Sequence, residues 1–385
     1  GFFNGFLAPL IFNTVAEYPL AMIGAALVRP SLDQNFRKSA TYWLDFIWPA
    51  TLFIIIFGLV LWVEKGGGFF SAKIAHVLIF GISGVICLSF SPRPVRYALG
   101  IGAIMLATSQ YHGPFGEILF TKRSFFGVYR AMQGNERNYH YIFHGTTLHG
   151  AQSLDPKRRL VPISYYYATG PAGQVFRALS ANAFDKPVAI VGLGAGALAC
   201  YGKPGQIFTF YEIDPLVERI ARDPDLFTYL KDCSPRISVR IGDARLTLAS
   251  APGHYYGMFI LDAFSGDSIP IHLLTREAVE LYLSKLVPEG VLLFNISNRY
   301  MDLAPVIDRV ATELKLTAFL RDDLDINEIE QSEGKQPSSW VVLARQNKVL
   351  AAFDKDPKWK PLVGKLKSDL WTDNYSNILQ ALRWQ

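Results

Sequence analysis

The chain has 385 residues, 50% of them hydrophobic, 14% aromatic and only 18% charged, with a net charge of +5. That length predicts two or three domains with ample core. A charged fraction well below the ~25% of ordinary globular chains excludes a disordered or acidic-tail protein and points to a membrane-embedded portion, and so mild a basic excess gives no case for nucleic acid as a partner.

The apolar character lies in the first 110 residues. Gly1 stands where a Met would open a chain, inside an apolar run, so a longer chain upstream is expected. The first 28 residues are apolar but interrupted by Pro9, Glu17 and Pro19, which predicts a broken membrane helix or two short segments. Glu17 sits in that break; the preferred reading is a solvated carboxylate at the membrane surface, the alternative an intramembrane functional acid. Trp43–Val63, WLDFIWPATLFIIIFGLVLWV, is long enough for a bilayer and carries interfacial tryptophans. A second span is expected from Phe69 to Phe90, and a third, shorter one from Val95 to Ser109, after the Ser91-Pro92-Arg93-Pro94 turn. Residues 1–110 are thus expected to be transmembrane helices in a lipid bilayer.

From 111 to 170 alternation and aromatic residues predict a small subdomain of β-hairpins. From 171 to 345 the rhythm changes: QVFRALSANAF reads as a helix, and PVAIV, QIFTFYEID, ISVRIGDA, YYGMFILDA and GVLLFNIS as strands with helices between. This βαβ repetition predicts a parallel, doubly wound Rossmann-like sheet with ligand loops at the carboxyl ends of its strands. Residues 346–385 form an extension that acts either as a lid, through the polar WTDNYSN, or as a strand cap. Cys87, Cys200 and Cys233 are odd in number and far apart, without CxxC or metal spacing, so neither a disulfide framework nor a metal site is expected.

The polar residues that can do chemistry follow the strands. Gly192, Gly194 and Gly196 form G-L-G-A-G after the first, where glycine lets the backbone approach a ligand and opens a helix. Glu212 ends the second strand, placed to accept from a ribose diol, with Asp214 a competitor two residues on. By a family-level regularity, not a derivation from spacing, GxGxG fits an S-adenosyl nucleoside better than a dinucleotide, with NAD kept as the alternative. Asp243, followed by Ala244, is placed for an adenine amino group or as a helix N-cap. Asp262 and Asp267 at the fourth strand's end can hold a cationic amine and take its proton. His144, His149 and His272 are additional polar candidates.

The set RSFFGVYR, HGTTLHGAQ, PISYYYATGP, LDAFSGDSIPIHLLT, NISNRY and WTDNYSN resembles the membrane-integrated branch of the spermidine synthase (aminopropyltransferase) family, across essentially the whole chain. The resemblance implies a multi-span membrane region, then a small β subdomain and a class I methyltransferase-type domain. It implies Gln152 along the aminopropyl channel, Glu212 on the ribose, Asp243 and Ala244 on the adenine side, and Asp262 as the base, with Asp267, Tyr165 and Tyr166 seating the amine. The donor it implies is decarboxylated S-adenosylmethionine; Ala195, where the family has Asp in the glycine loop, lets S-adenosylmethionine itself compete. An amine or polyamine acceptor, methylthioadenosine as by-product, a homodimer and a bacterial inner-membrane protein follow from the same resemblance; the cytoplasmic side is expected for the catalytic domain because sulfonium nucleosides occur there. Two other readings stand beside it: a methyltransferase, and a transporter or sensor whose synthase-like domain only binds a nucleoside.

Overall fold

The computed structural model describes residues 3, 7–30, 42–64, 72–109, 111, 116–134, 138–180, 185–264, 269–362, 364 and 367–383. The chain divides into two compact units, Gly1–Val128 and Tyr129–Gln385.

In the first unit the apolar runs fold as helices α1 (Glu17–Val28), α2 (Leu44–Glu64), α3 (Ile74–Ser89) and α4 (Pro94–Thr108), followed by strand β1 (Glu117–Arg123). Among the described residues one helix, α2, is long and apolar enough to cross a membrane: 21 residues of mean hydropathy 2.4, only 22% of its apolar window buried. The described parts of the other two expected spans are shorter helices on either side of the Ser91–Pro94 turn; residues 69–71 of the second expected span lie outside the described residues. Inside the unit Leu52, Ile56 and Val60 of α2 pack with Ile79, Cys87, Ala98 and Ile101. Burying a carboxylate requires a partner, and both acids here have one. Asp45 is met by Arg93 at 3.2 Å and Arg96 at 2.7 Å. Glu17 is buried and pairs with Arg123 at 2.6 Å, which corrects the expectation of a solvated side chain.

The second unit opens on antiparallel strands β2 (Val128–Gln133), β3 (Tyr139–His144) and β4 (Thr147–Ser153), with a register shift at Ile142/Phe143. Helix α5 (Pro171–Ser180) leads into an eight-stranded sheet of β5 (Val188–Val191), β6 (Ile207–Glu212), β7 (Arg236–Ile241), β8 (Tyr256–Leu261), β9 (Leu286–Asn295), β10 (Thr317–Asp323), β11 (Ser338–Ala344) and the two-residue β12 (Lys360–Pro361). Their spatial order is β12-β10-β11-β9-β8-β5-β6-β7. Strands β5 to β9 pair in parallel; β11 runs antiparallel to both β9 and β10. The sheet is therefore mixed, not wholly parallel. Helices α6 (Pro215–Arg222), α7 (Ala244–Ala249), α8 (Arg276–Lys285) and α9 (Ala304–Glu313) are the connections. One sheet face, through Val191, Phe259, Leu292, Phe294 and Val341, packs on apolar residues of α7, α8 and α9. On the other, Phe176 of α5 stacks against Phe208.

Cys200 and Cys233 form a disulfide, their Cα atoms 4.9 Å apart, contrary to the expectation from spacing. It ties the short helix Ala197–Tyr201 behind the glycine loop to the end of the turn Tyr229–Asp232. Closing 33 residues by chain entropy is worth about 3–4 kcal/mol. Cys233→Ser, or reduction of the wild type, is accordingly expected to lower the thermal midpoint of the second unit by several degrees; an unchanged midpoint after reduction, followed by calorimetry, contradicts the pairing.

The extension is fastened down. Trp371 is fully buried, Asp373 receives two hydrogen bonds from Arg245 at 2.7 Å and one from Thr275 at 2.8 Å, and Leu382 bridges Met301. These contacts hold the described part of the extension as a strap.

Candidate functional site

The parallel strands put their polar termini along one edge of the sheet. Gly192 follows β5 at φ +96°, and a Cβ there would strike the carbonyl oxygen of Asp262. Gly194, at φ +53°, has the carbonyl of His149 where its Cβ would be. Left-handed backbone and close approach together explain these two glycines. Gly196 closes the loop by capping the short helix Ala197–Tyr201, which is 3-10 in form, so the expected α-helix start is absent. Ala195 is buried, and β4 passes so close that a Cβ on Gly150 would lie 2.8 Å from its own.

Glu212 at the end of β6 is buried. Its Oε2 accepts from the Leu193 amide at 3.0 Å and its Oε1 from the Asp214 amide at 2.9 Å. Burial pushes its carboxyl up to about 7, with the backbone donors of Asp214 and Leu193 opposing. The Ile213 backbone also acts on this carboxylate, so of its four lone-pair sites at least one stays open to a ribose hydroxyl. Asp214, fully buried, caps α6 through Leu216 at 2.8 Å; that role sets it apart from Glu212. Asp243 caps α7 through Leu246 at 3.0 Å, and its second oxygen lies 3.3 Å from His272 Nε2. Ala244, the first residue of α7, is buried beside it.

Asp262 follows β8, buried. Its Oδ2 accepts from the Tyr166 hydroxyl and its Oδ1 from Asn295 Nδ2 at 2.7 Å. Burial raises its carboxyl to about 7, against the lowering effect of both donors. Tyr165 stacks edge-on against Tyr166, ring centroids 4.4 Å apart. Burial first, and the Asp262 charge second, hold both phenols above their ordinary value, so they act as donors at neutral pH. Asp267 lies outside the described residues. Gln152 is buried with its amide already committed, donating to the Arg159 carbonyl and Thr228 Oγ1 at 2.9 Å each and accepting from the Thr228 amide at 2.9 Å. Here it fastens β4 to the Thr228 turn. Among the described residues no group of three or more His, Cys, Asp or Glu could hold a metal ion.

Sequence reasoning passed over Asn295. Its Oδ1 accepts from the Ser297 amide at 3.0 Å and hydroxyl at 2.6 Å, which fixes the amide so that Nδ2 faces Asp262. A polar residue closing an apolar strand beside three other such residues was the available signal. Asn295→Ala is expected to lower turnover about 10- to 100-fold with little change in donor affinity. It should also move the acidic limb of the pH–rate profile upward, because a donor that lowers the Asp262 pKa is lost. An unshifted limb rejects the positioning role.

Beside Asn295 opens a cavity of about 510 Å³, lined among others by His149, Tyr165, Phe264, Ser297, Arg299, Asp322 and Arg383. In strand order β8 separates two halves: the glycine loop, Glu212 and Asp243 follow β5, β6 and β7 on one side. The cavity draws on residues following β9 and on β10 and β11 on the other, and also on Thr147, Leu148 and His149 of β4, whose His149 carbonyl lies against Gly194 of the glycine loop.

A seven-strand core with one antiparallel strand inserted beside the fifth, a glycine loop after the first strand and a buried acid after the second, is a Rossmann-like fold of the methyltransferase type. No family model matches the chain. In sequence it is similar to a polyamine aminopropyltransferase of Vibrio vulnificus, 31% identical over 161 residues, which is 39% of this chain and 49% of that protein. The chain thus spans about half the length of the curated relative it matches. Among solved structures it is similar to a probable spermidine synthase from Corynebacterium glutamicum (16% identity, 68% of this chain and 98% of that one, TM-score 0.46). It is also similar to a spermidine synthase from Thermotoga maritima (15%, 70% and 85%, 0.42).

Proposed function

We propose that the second unit is a transferase of the spermidine synthase type, moving an aminopropyl or related alkyl group from a sulfonium nucleoside to an amine and releasing methylthioadenosine. The observation that carries this is Asp262: a buried carboxylate raised to about 7, held by Tyr166 and by Asn295, a residue that lines the cavity, with its backbone carbonyl against Gly192 of the glycine loop. An amine is an ammonium at neutral pH and has no lone pair to attack with. Asp262 takes the proton; the freed nitrogen attacks the carbon next to sulfur in line; the carbon–sulfur bond breaks with its electrons left on sulfur, and the neutral thioether departs. The base is matched to the operating pH by burial, and orientation of two bound partners supplies the rest. Glu212 and Asp243 hold the ribose and adenine, and Tyr165 and Tyr166 border the amine.

The donor is decarboxylated S-adenosylmethionine or S-adenosylmethionine. Ala195 offers no anion to the donor's amino group, a contact worth about 1.5–3 kcal/mol where an acid stands. Calorimetric titration with both nucleosides decides. Binding of the carboxylated one at comparable or higher affinity is expected; binding of the decarboxylated one alone rejects the wider donor range.

The further reading is a membrane-anchored enzyme, of which α2 is the supporting helix, with the second unit facing the cytoplasm where sulfonium nucleosides are made. The Cys200–Cys233 disulfide pulls the other way, since such bonds persist under oxidising conditions. Membrane-impermeant labelling of Lys residues in the second unit, on intact against broken cells, separates the two placements.

A further inference from the structure

We propose that the amine acceptor carries a carboxylate, as an α-amino acid with a side-chain amine does; this rests on the transferase reading. The cavity beyond Asp262 is not the acidic sleeve that a plain diamine would call for. Two of its lining residues are arginines, Arg299 and Arg383, both exposed to the cavity mouth. Neither has a carboxylate partner among the described residues; the Arg299 guanidinium lies 5.7 Å from the Tyr300 ring centroid. They are brought to one wall by backbone pairing: the Arg383 amide donates to the Tyr300 carbonyl at 2.8 Å and the Asp302 amide to the Ala381 carbonyl at 2.7 Å. This pairing sets Arg383 beside the segment that carries Arg299.

The cavity's two carboxylates are Asp302 and Asp322. Asp302 Oδ1 accepts from the Ala304 amide at 3.2 Å and Asp322 Oδ1 from the Ser339 hydroxyl at 2.6 Å, each leaving an oxygen over. Two cations and two anions on one small cavity are complementary to a zwitterionic group: its carboxylate to the guanidiniums, which suit carboxylates by geometry, and its α-ammonium to the aspartates. A diamine without the carboxylate meets the two guanidiniums as like charges. The zwitterion is assigned to the acceptor because both arginines and both aspartates follow β9 or lie on β10 and the strap, whereas Glu212 ends β6 and Asp243 follows β7. An R299Q/R383Q protein that loses affinity for S-adenosylmethionine but keeps its acceptor preference would assign the zwitterion to the donor's tail and overturn this.

The test uses the full chain in detergent and matched amines that differ only by the carboxylate: ornithine against putrescine, lysine against cadaverine. Isothermal titration and methylthioadenosine release are read in parallel. The wild type is expected to favour the amino acid of each pair at least tenfold in KM and in Kd. R299Q/R383Q, at exposed positions, is expected to bring each pair within about twofold while methylthioadenosine binds unchanged. Release of methylthioadenosine with equal or better use of the diamines, or a preference untouched by the double substitution, overturns the proposal and leaves the transferase standing. A carboxylate preference in binding, abolished by R299Q/R383Q but with no methylthioadenosine from any amine, keeps the cavity's ligand class and overturns the transfer.

Discussion

Asp262→Asn is expected to reduce turnover about 10²- to 10⁴-fold, the range over which a positioned base acts, while the affinity for methylthioadenosine stays within a few fold. The amide matches the carboxylate in shape but cannot take the ammonium's proton. Its pH signature follows from the same burial. The acid must be ionised to work, so wild-type kcat should rise as pH passes about 7 and level above it. Stability runs the opposite way. The folded pKa is raised over the ordinary 3.8, so the neutral carboxyl stabilises the native state fully at low pH, and that contribution is lost as pH climbs through about 7. Asn does not titrate; the variant should therefore gain on the wild type between pH 5 and pH 8 in a denaturation series. A variant that keeps its turnover, or a wild type whose kcat is flat from pH 6 to 8, removes Asp262 from the chemistry.

Glu212→Gln is expected to weaken nucleoside binding about 100-fold with a smaller effect on kcat at saturation. The carboxylate accepts from Leu193 of the glycine loop and from the Asp214 amide. Gln retains one acceptor and presents an NH₂ to the other backbone donor, so the loop loses a tie and the ribose loses charge-assisted acceptors, each worth about 1.5–3 kcal/mol. Since burial raises Glu212 to about 7, affinity in the wild type should tighten as pH rises from 6 to 8, and the Gln variant should lose that dependence. Calorimetry with methylthioadenosine across pH checks both; unchanged affinity in the variant places the nucleoside elsewhere.

How far the sequence foretold this site depends on the range of the contacts. Apolar β-branched runs ending in Glu212, Asp243 and Asp262 announced strands with polar tips, because a parallel sheet buries both faces and frees only its ends. The glycine loop was equally local. The antiparallel insertion of β11 was hidden, since SSWVVLA is as apolar as the parallel strands of the same sheet and direction leaves no mark on composition. The Gln152 contacts to Thr228, 76 residues away, the Glu17–Arg123 pair, 106 apart, and the Cys200–Cys233 bond, 33 apart, are all decided by tertiary packing. In the first unit the apolar count revealed helices, and the Ser91–Pro94 turn separates α3 from α4.

The most direct measurement is mass spectrometry of the spent nucleoside after the purified chain is incubated with a sulfonium donor and an amine. Alkyl transfer with Asp262 as base predicts methylthioadenosine, formed in step with the alkylated amine and suppressed by Asp262→Asn. S-adenosylhomocysteine in its place would mean that a methyl group had moved, and donor recovered intact would mean that the pocket holds a nucleoside without turning it over; either result contradicts the account.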